Sequence, residues 1–242
     1  MQNVNEFYIG ISELCVRMNA KYPFAFHHCQ DYIIEEKERV DIDAVADADE
    51  IAREMATYNV AHSEAYCESI CLYRAIAEQL PMLDRFVFHG AAVSIGGRGF
   101  IFTAPSGTGK TTHIDLLLKN YPADVDIING DKPIIYVTDV GARVCSTPWA
   151  GKEGMNKNTS APLAGIVLLR RGCENSIKKI APGDYFAAIM AQTYFPKNAR
   201  ARVATLDLLD RLARSVDFYL LECNVSDQAA KTSFEKLNNT KA

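Results

Sequence analysis

The chain has 242 residues, 48% of them apolar and 23% charged, with a formal net charge of −4 and a pI of about 5.8. That composition suits one large globular core, alone or with a smaller appendage. It excludes a basic nucleic-acid surface, contains no apolar stretch near the ~20 residues of a membrane span, and opens (MQNVNEFYIG) without the basic-then-apolar start of a secretory signal.

In chain order, ISELCVRMN and DYIIEE read as strands, and VDIDAVA alternates as a half-exposed strand does. Asp47 or Asp49 offers an N-cap for the helix DEIAREMA. Residues 63–80 carry Ala65, Ile70, Leu72, Tyr73, Ile76, Ala77 and Leu80 at helical spacing, and Pro81 ends the run. FVFHGAAVSI reads as one strand, turning through Gly96-Gly97-Arg98-Gly99 into GFIFTA. THIDLLLKNY is a helix, VDIIN a strand, and Gly130-Asp131-Lys132-Pro133 the bend at its end. IIYVTD and ARVCST form a hairpin, and PWAGKEGMNKNTS is a loop. AGIVLLRR and NSIKKI are strands, DYFAAIMAQTYF and ATLDLLDRLARSV helices, DFYLLECN a strand and DQAAKTSFEKLN a closing helix.

This order predicts an α/β fold: a mixed, partly antiparallel sheet with flanking helices. Residues 1–84 are expected to form an α+β accessory region, an edge sheet and helix packed on a core at residues 85–242. The seven cysteines are odd in number and carry no four-ligand metal spacing, which points to reduced thiols in the cytoplasm and to no structural metal.

Chemistry concentrates at Ala104-Pro105-Ser106-Gly107-Thr108-Gly109-Lys110-Thr111-Thr112. A strand precedes this stretch and a helix follows it, the setting of a phosphate-binding P-loop. Gly107 and Gly109 let backbone N–H groups turn inward, and with Ser106, Thr108 and the helix start they form an anion nest. Lys110 would reach the β/γ-phosphates, Thr111 would place its hydroxyl on Mg²⁺, and Thr112 completes the turn. Ala104 stands where the first glycine of the pattern usually lies, which is tolerable if its φ is negative. The expected ligands are ATP and magnesium.

FHGAAVSIGGRGFIFTAPSGTGKTT followed by INGD resembles the P-loop family of HPr kinase/phosphorylase and its small relatives, which share a nucleotide core with ATP-dependent phosphoenolpyruvate carboxykinase. The resemblance covers residues 86–137 well. It implies a histidine ahead of the loop, where His89-Gly90 stands, and an acidic pair after the next strand, one acid near Mg²⁺ and the next a general base. Here that pair reads Gly130-Asp131, so Asp131 remains as base, metal ligand, or both. The implied function is a kinase moving the γ-phosphoryl group of ATP to a hydroxyl of a small protein, peptide or small alcohol. A nucleotide-binding regulator without turnover and, behind it, a carboxykinase-type lyase are the alternatives. An ordinary turn acid at Asp131 and a hydrogen-bonded core histidine at His89 are the bland readings. Trp149, Lys152 and Glu153 are expected at the substrate or in a lid, against a plain surface loop. Arg170-Arg171 could touch phosphate, and Lys197, Arg200 and Arg202 form a modest basic patch.

Overall fold

The computed structural model describes residues 5–57 and 62–239. The chain forms two sheets and seven α-helices among those residues. Strands β1 (Glu6–Ile11), β2 (Leu14–Asn19), β3 (Ile33–Ile34) and β4 (Ile42–Val45) make a four-stranded sheet in the order β3-β1-β2-β4. The stretch read as one strand, ISELCVRMN, instead begins in a turn. Ser12 and Glu13 take φ of 49° and 66°, closing a hairpin without glycine or asparagine. DYIIEE is mostly not strand: Gln30–Tyr32 is a 3₁₀ turn that buries Tyr32, leaving β3 only two residues long.

Helix α1 (Pro23–His28) precedes that turn. Helix α2 (Ala48–Thr57) is capped by Asp47, whose carboxylate accepts from the Glu50 N–H at 2.7 Å. Helix α3 (Glu64–Gln79) starts at Ser63, whose side chain accepts from the Tyr66 N–H, and gives way to a 3₁₀ turn containing Pro81. Its Leu72, Ile76 and Ala77, with Leu80 of the turn, share a core with Phe7, Ile9, Val16 and Met18 of the small sheet. The expected edge sheet is therefore a separate one. It shares a single core with Val87, Ile134, Cys145 and Trp149 from the rest of the chain.

The large sheet has nine strands: β5 (Arg85–Val87), β6 (Ala91–Ile95), β7 (Arg98–Thr103), β8 (Val125–Asn129), β9 (Ile134–Thr138), β10 (Gly141–Cys145), β11 (Ser160–Arg171), β12 (Ser176–Ile180) and β13 (Asp217–Cys223). FVFHGAAVSI is two strands. β5 pairs with β9 while β6 pairs with β7 and β8, so the chain must change partners across residues 88–90. Around β11 the pairing turns parallel, to β7 on one side and β13 on the other, and the remaining pairs are antiparallel.

Helices α4 (Lys110–Asn120) and α7 (Asp227–Asn238) cover one face through Ile114, Leu117, Ala229, Ala230 and Leu237. Helices α5 (Phe186–Gln192) and α6 (Ala199–Ser215) cover the other through Ile189, Leu208, Leu209 and Leu212. The helix read across DYFAAIMAQTYF is shorter than expected: Pro182–Tyr185 is 3₁₀ and Thr193 leaves the helix for an isolated bridge to Phe88. α6 starts earlier than the apolar pattern suggests, because Asn198 caps it by accepting from the Arg200 and Ala201 N–H groups. All seven cysteines are free, and among the described residues no helix is long and apolar enough to cross a membrane.

Candidate active site

The site forms where β7 and β8 end. β7 runs into the glycine-rich loop at residues 104–109, and α4 begins at Lys110. Gly107 and Gly109 hold φ of 75° and 116°, conformations that a side chain would strain. Ala104 is not among the described non-glycine residues with positive φ, so alanine meets no backbone penalty there. Four side-chain hydrogen bonds hold the loop in shape. Thr108 Oγ1 donates to the Pro105 carbonyl at 2.7 Å, and Lys110 Nζ donates to the Ala104 carbonyl at 2.8 Å. From the end of β11, the Arg171 guanidinium donates to the carbonyls of Thr108, at 3.0 Å, and Gly107. With those carbonyls occupied by a cation, the loop N–H groups are left as the groups an anion would meet.

His89 and Asp131 meet across the cleft, with His89 Nε2 3.1 Å from Asp131 Oδ1. Three hydrogen bonds, two of them between backbone groups, fix that meeting. The His89 N–H donates to the Gln192 carbonyl at 2.7 Å, the Gly90 N–H to the Asp131 carbonyl at 2.9 Å, and Thr103 Oγ1 to the His89 carbonyl at 2.9 Å. Lys132 Nζ donates to the other Asp131 oxygen. Burial works against the Asp131 carboxylate, but hydrogen bonds from His89 and then Lys132 outweigh it and hold its pKa down at about 2. Burial also draws the Lys110 amine below its usual value, while the Asp131 charge opposes that shift.

Asn129 escapes a reading by motif, yet it organises the acidic turn. It is fully buried. Its Oδ1 accepts from the Asp131 N–H at 2.9 Å and the Lys132 N–H at 2.7 Å, and its Nδ2 donates to the Thr147 carbonyl at 3.0 Å. The signal was the Asn-Gly-Asp order itself, since an asparagine bonding the backbone two residues on is an Asx turn. A side chain at Gly130 would be tightly flanked by the loop after β10. A Cβ there would lie 3.0 Å from the Ala150 carbonyl oxygen and 3.2 Å from that of Met155.

That loop divides the remaining expectations. Trp149 is not at the cleft: it is 5% exposed, donates from Nε1 to Ser69 Oγ at 3.2 Å, and packs on Tyr73 with ring centroids 5.0 Å apart. Its aromatic bulk serves the core shared with α3. Lys152 and Glu153 do line the cleft, beside Gly151. The same cleft, of about 720 Å³, takes in His89, residues 106–113, Gly130, Asp131 and Arg171. Thr111 and Asp131 thus share one cavity, and Thr112 lies beside them. Arg170 instead pairs with Glu222 at 3.3 Å. Lys197, Arg200 and Arg202 do not line the cleft. The Lys197 N–H bonds the Glu78 carboxylate and Arg202 Nε bonds the Pro196 carbonyl.

His113 is a further polar group near the loop. It is 3% exposed, its Nε2 meets Ser233 Oγ at 2.9 Å, and its Nδ1 has no partner among the described residues. Burial against Phe102 brings its pKa down to about 4.

No family model matches the chain, and no curated protein matches it. Among solved structures, the Hpr(Ser) kinase/phosphatase from Coxiella burnetii is similar to it at 9% identity, over 63% of this chain and 88% of that chain, with a TM-score of 0.39. A likeness this weak assigns neither a fold family nor an activity.

Proposed function

We propose that the protein is an ATP-dependent phosphotransferase acting on a hydroxyl. The observation that carries this reading is the convergence of His89 and Asp131, 3.1 Å apart, on the cleft lined by the glycine loop and Lys110. The loop N–H groups and Lys110 bind and orient the β- and γ-phosphates. The donor set fits magnesium, which keeps most of its shell as water and phosphate oxygen and asks the protein for one or two oxygens. Thr111 and Asp131 would hold it, and it would neutralise charge on the phosphates.

The acceptor oxygen attacks the γ-phosphorus. The bond from that phosphorus to the β–γ bridging oxygen breaks, ADP leaves with the electron pair, and the acceptor proton passes to Asp131. A carboxylate of low pKa suffices, because the proton leaves late in a loose transition state. His89 positions the carboxylate, and Lys152 and Glu153 face the same space from the loop after β10.

The test is transfer of labelled γ-phosphate to hydroxyl acceptors by the purified chain. Lys110→Ala is expected to weaken nucleotide binding and Asp131→Asn to slow turnover by about 10²–10⁴-fold. Equal transfer by parent and Asp131→Asn would sink the base assignment. One observation favours a second reading, a nucleotide-binding regulator without turnover: Gly130 leaves a single carboxylate in the turn. Tight ADP and ATP binding with no transfer to any acceptor would select it.

A further inference from the structure

The acidic turn is held from a part of the chain far from it in sequence. Tyr32 ends the 3₁₀ turn Gln30–Tyr32 and is buried. Its hydroxyl oxygen lies 2.7 Å from Ser146 Oγ and 2.9 Å from the Thr147 carbonyl, just beyond β10. Both partners bear on the turn. Ser146 Oγ is 2.7 Å from the carbonyl of Ile128, the residue before Asn129. The Thr147 carbonyl also receives Asn129 Nδ2 at 3.0 Å and Asn156 Nδ2 at 2.9 Å, and Thr147 Oγ1 donates to the Lys132 carbonyl at 2.9 Å. From Asn129 the bonds continue to the Asp131 and Lys132 N–H groups. A separate bond ties the same segment to the loop after β10, since Asn158 Nδ2 donates to the Asp31 carbonyl at 2.8 Å.

The phenol is engaged whichever way the protons lie. The hydroxyls of Tyr32 and Ser146 have one proton each for three contacts. If Ser146 donates to Tyr32, the phenol donates to the Thr147 carbonyl. If Tyr32 donates to Ser146, Ser146 donates to the Ile128 carbonyl. Burial pushes the phenol pKa up to about 12, so it keeps its proton. Tyr32, Ser146, Thr147 and Asn129 are all buried, where such bonds are strong and reinforce one another. A ring needed only for packing would gain nothing from the hydroxyl, which is costly in a core unless it is bonded.

We propose that the Tyr32 hydroxyl is a positioning group for Asp131: through Thr147 and Asn129 it fixes the acidic turn, so that the segment before residue 85 completes the candidate active site. The kinetic part of this inference rests on the phosphotransferase reading above, and amide exchange is measured apart from transfer so that the two can fail separately.

Tyr32→Phe keeps the ring and removes the hydroxyl. It leaves Ser146 to donate to the Ile128 carbonyl and the Thr147 carbonyl with its two asparagine donors, so those groups keep partners. Hydrogen exchange of the full chain, read by NMR, is expected to speed about tenfold more at the Asp131 and Lys132 amides than at those of β11. Tyr8→Phe removes a hydroxyl bonded to Glu36 at the surface of the small sheet and should change neither set. With ATP, magnesium and a serine peptide, glycerol or water as acceptor, Tyr32→Phe should lower kcat about tenfold, the cost of a misplaced carboxylate. ADP affinity measured without magnesium should hold, because residues 104–110 take no part in these bonds; it also shows that the variant folds. Equal acceleration at the turn and in β11, or none, would overturn the inference. Transfer at the parental kcat overturns it too and leaves the phosphotransferase reading standing. A selectively loosened turn in a chain that transfers phosphate to none of the acceptors upholds the positioning role and sinks the phosphotransferase reading.

Discussion

The indole N–H of Trp149 donates to Ser69 Oγ over 3.2 Å, fastening the loop after β10 to helix α3. The same loop lies on the acidic turn, with the Ala150 carbonyl against Gly130 and Gly151 against Asp131. Helix α3 is close enough beneath that the Asp131 charge adds to burial in raising the Tyr73 hydroxyl. Ser69→Ala is expected to cost about 1 kcal/mol, the worth of one buried hydrogen bond. Trp149→Ala should cost about 3–5 kcal/mol, because it also empties the space beside Tyr73. Urea unfolding followed by circular dichroism measures both, and equal losses in the two variants would contradict the packing role.

Asp131 makes folding stability depend on acid. Its pKa lies at about 2 in the folded chain against an ordinary 3.8. The folded state therefore binds its proton less readily than the unfolded one. The stabilisation is fully present above about pH 4 and is lost as the pH falls through 2. It amounts to about 2 kcal/mol. Asp131→Asn should flatten that part of the stability–pH curve. A curve unchanged in shape between pH 2 and 4 would show that the carboxylate is not held by His89 and Lys132.

His113 acts in a higher window. Its pKa is lowered from 6.5 to about 4, so the folded chain resists a proton that the unfolded chain accepts. Stability is retained above pH 6.5 and declines as the pH drops to 4, by about 3 kcal/mol. His113→Gln is expected to remove this decline, and two-dimensional NMR of the imidazole should find it neutral at pH 5. A charged ring at that pH would contradict the burial.

Gly130 is held by space. Gly130→Ala would press a methyl group on the Ala150 and Met155 carbonyl oxygens and is expected to cost about 1–3 kcal/mol. Gly130→Asp should cost more and should fail to create a second acidic ligand, unless the loop at residues 150–155 moves. A thermal-shift series across glycine, alanine and aspartate reads this order.

Local signals were legible. Ser63 and Pro81 bracket α3, the β9–β10 hairpin forms although its turn lies at Asp139-Val140, one residue before the Val140-Gly141 that the sequence suggested, and the spacing of Gly107, Gly109 and Lys110 marks the loop. These depend on torsion angles and periodicities that a few residues settle between themselves. The hairpin at Ser12 and Glu13 gave no such signal, since neither residue type advertises positive φ. The break within FVFHGAAVSI was equally silent, because it arises from a change of strand partner rather than from any residue at the break.

The sequence by itself determined the backbone chemistry of the loop: two glycines that can turn N–H groups inward, a lysine, and two threonines at the start of a helix. Tertiary structure decided what faces it. His89 and Asp131 come within hydrogen-bonding reach because β6 lies beside β8, which sets the Gly90 N–H on the Asp131 carbonyl. The lone tryptophan, whose polar setting in the chain suggested a lid, went into the core, where burying its large apolar surface against Tyr73 outweighs its loop neighbours' preference for water.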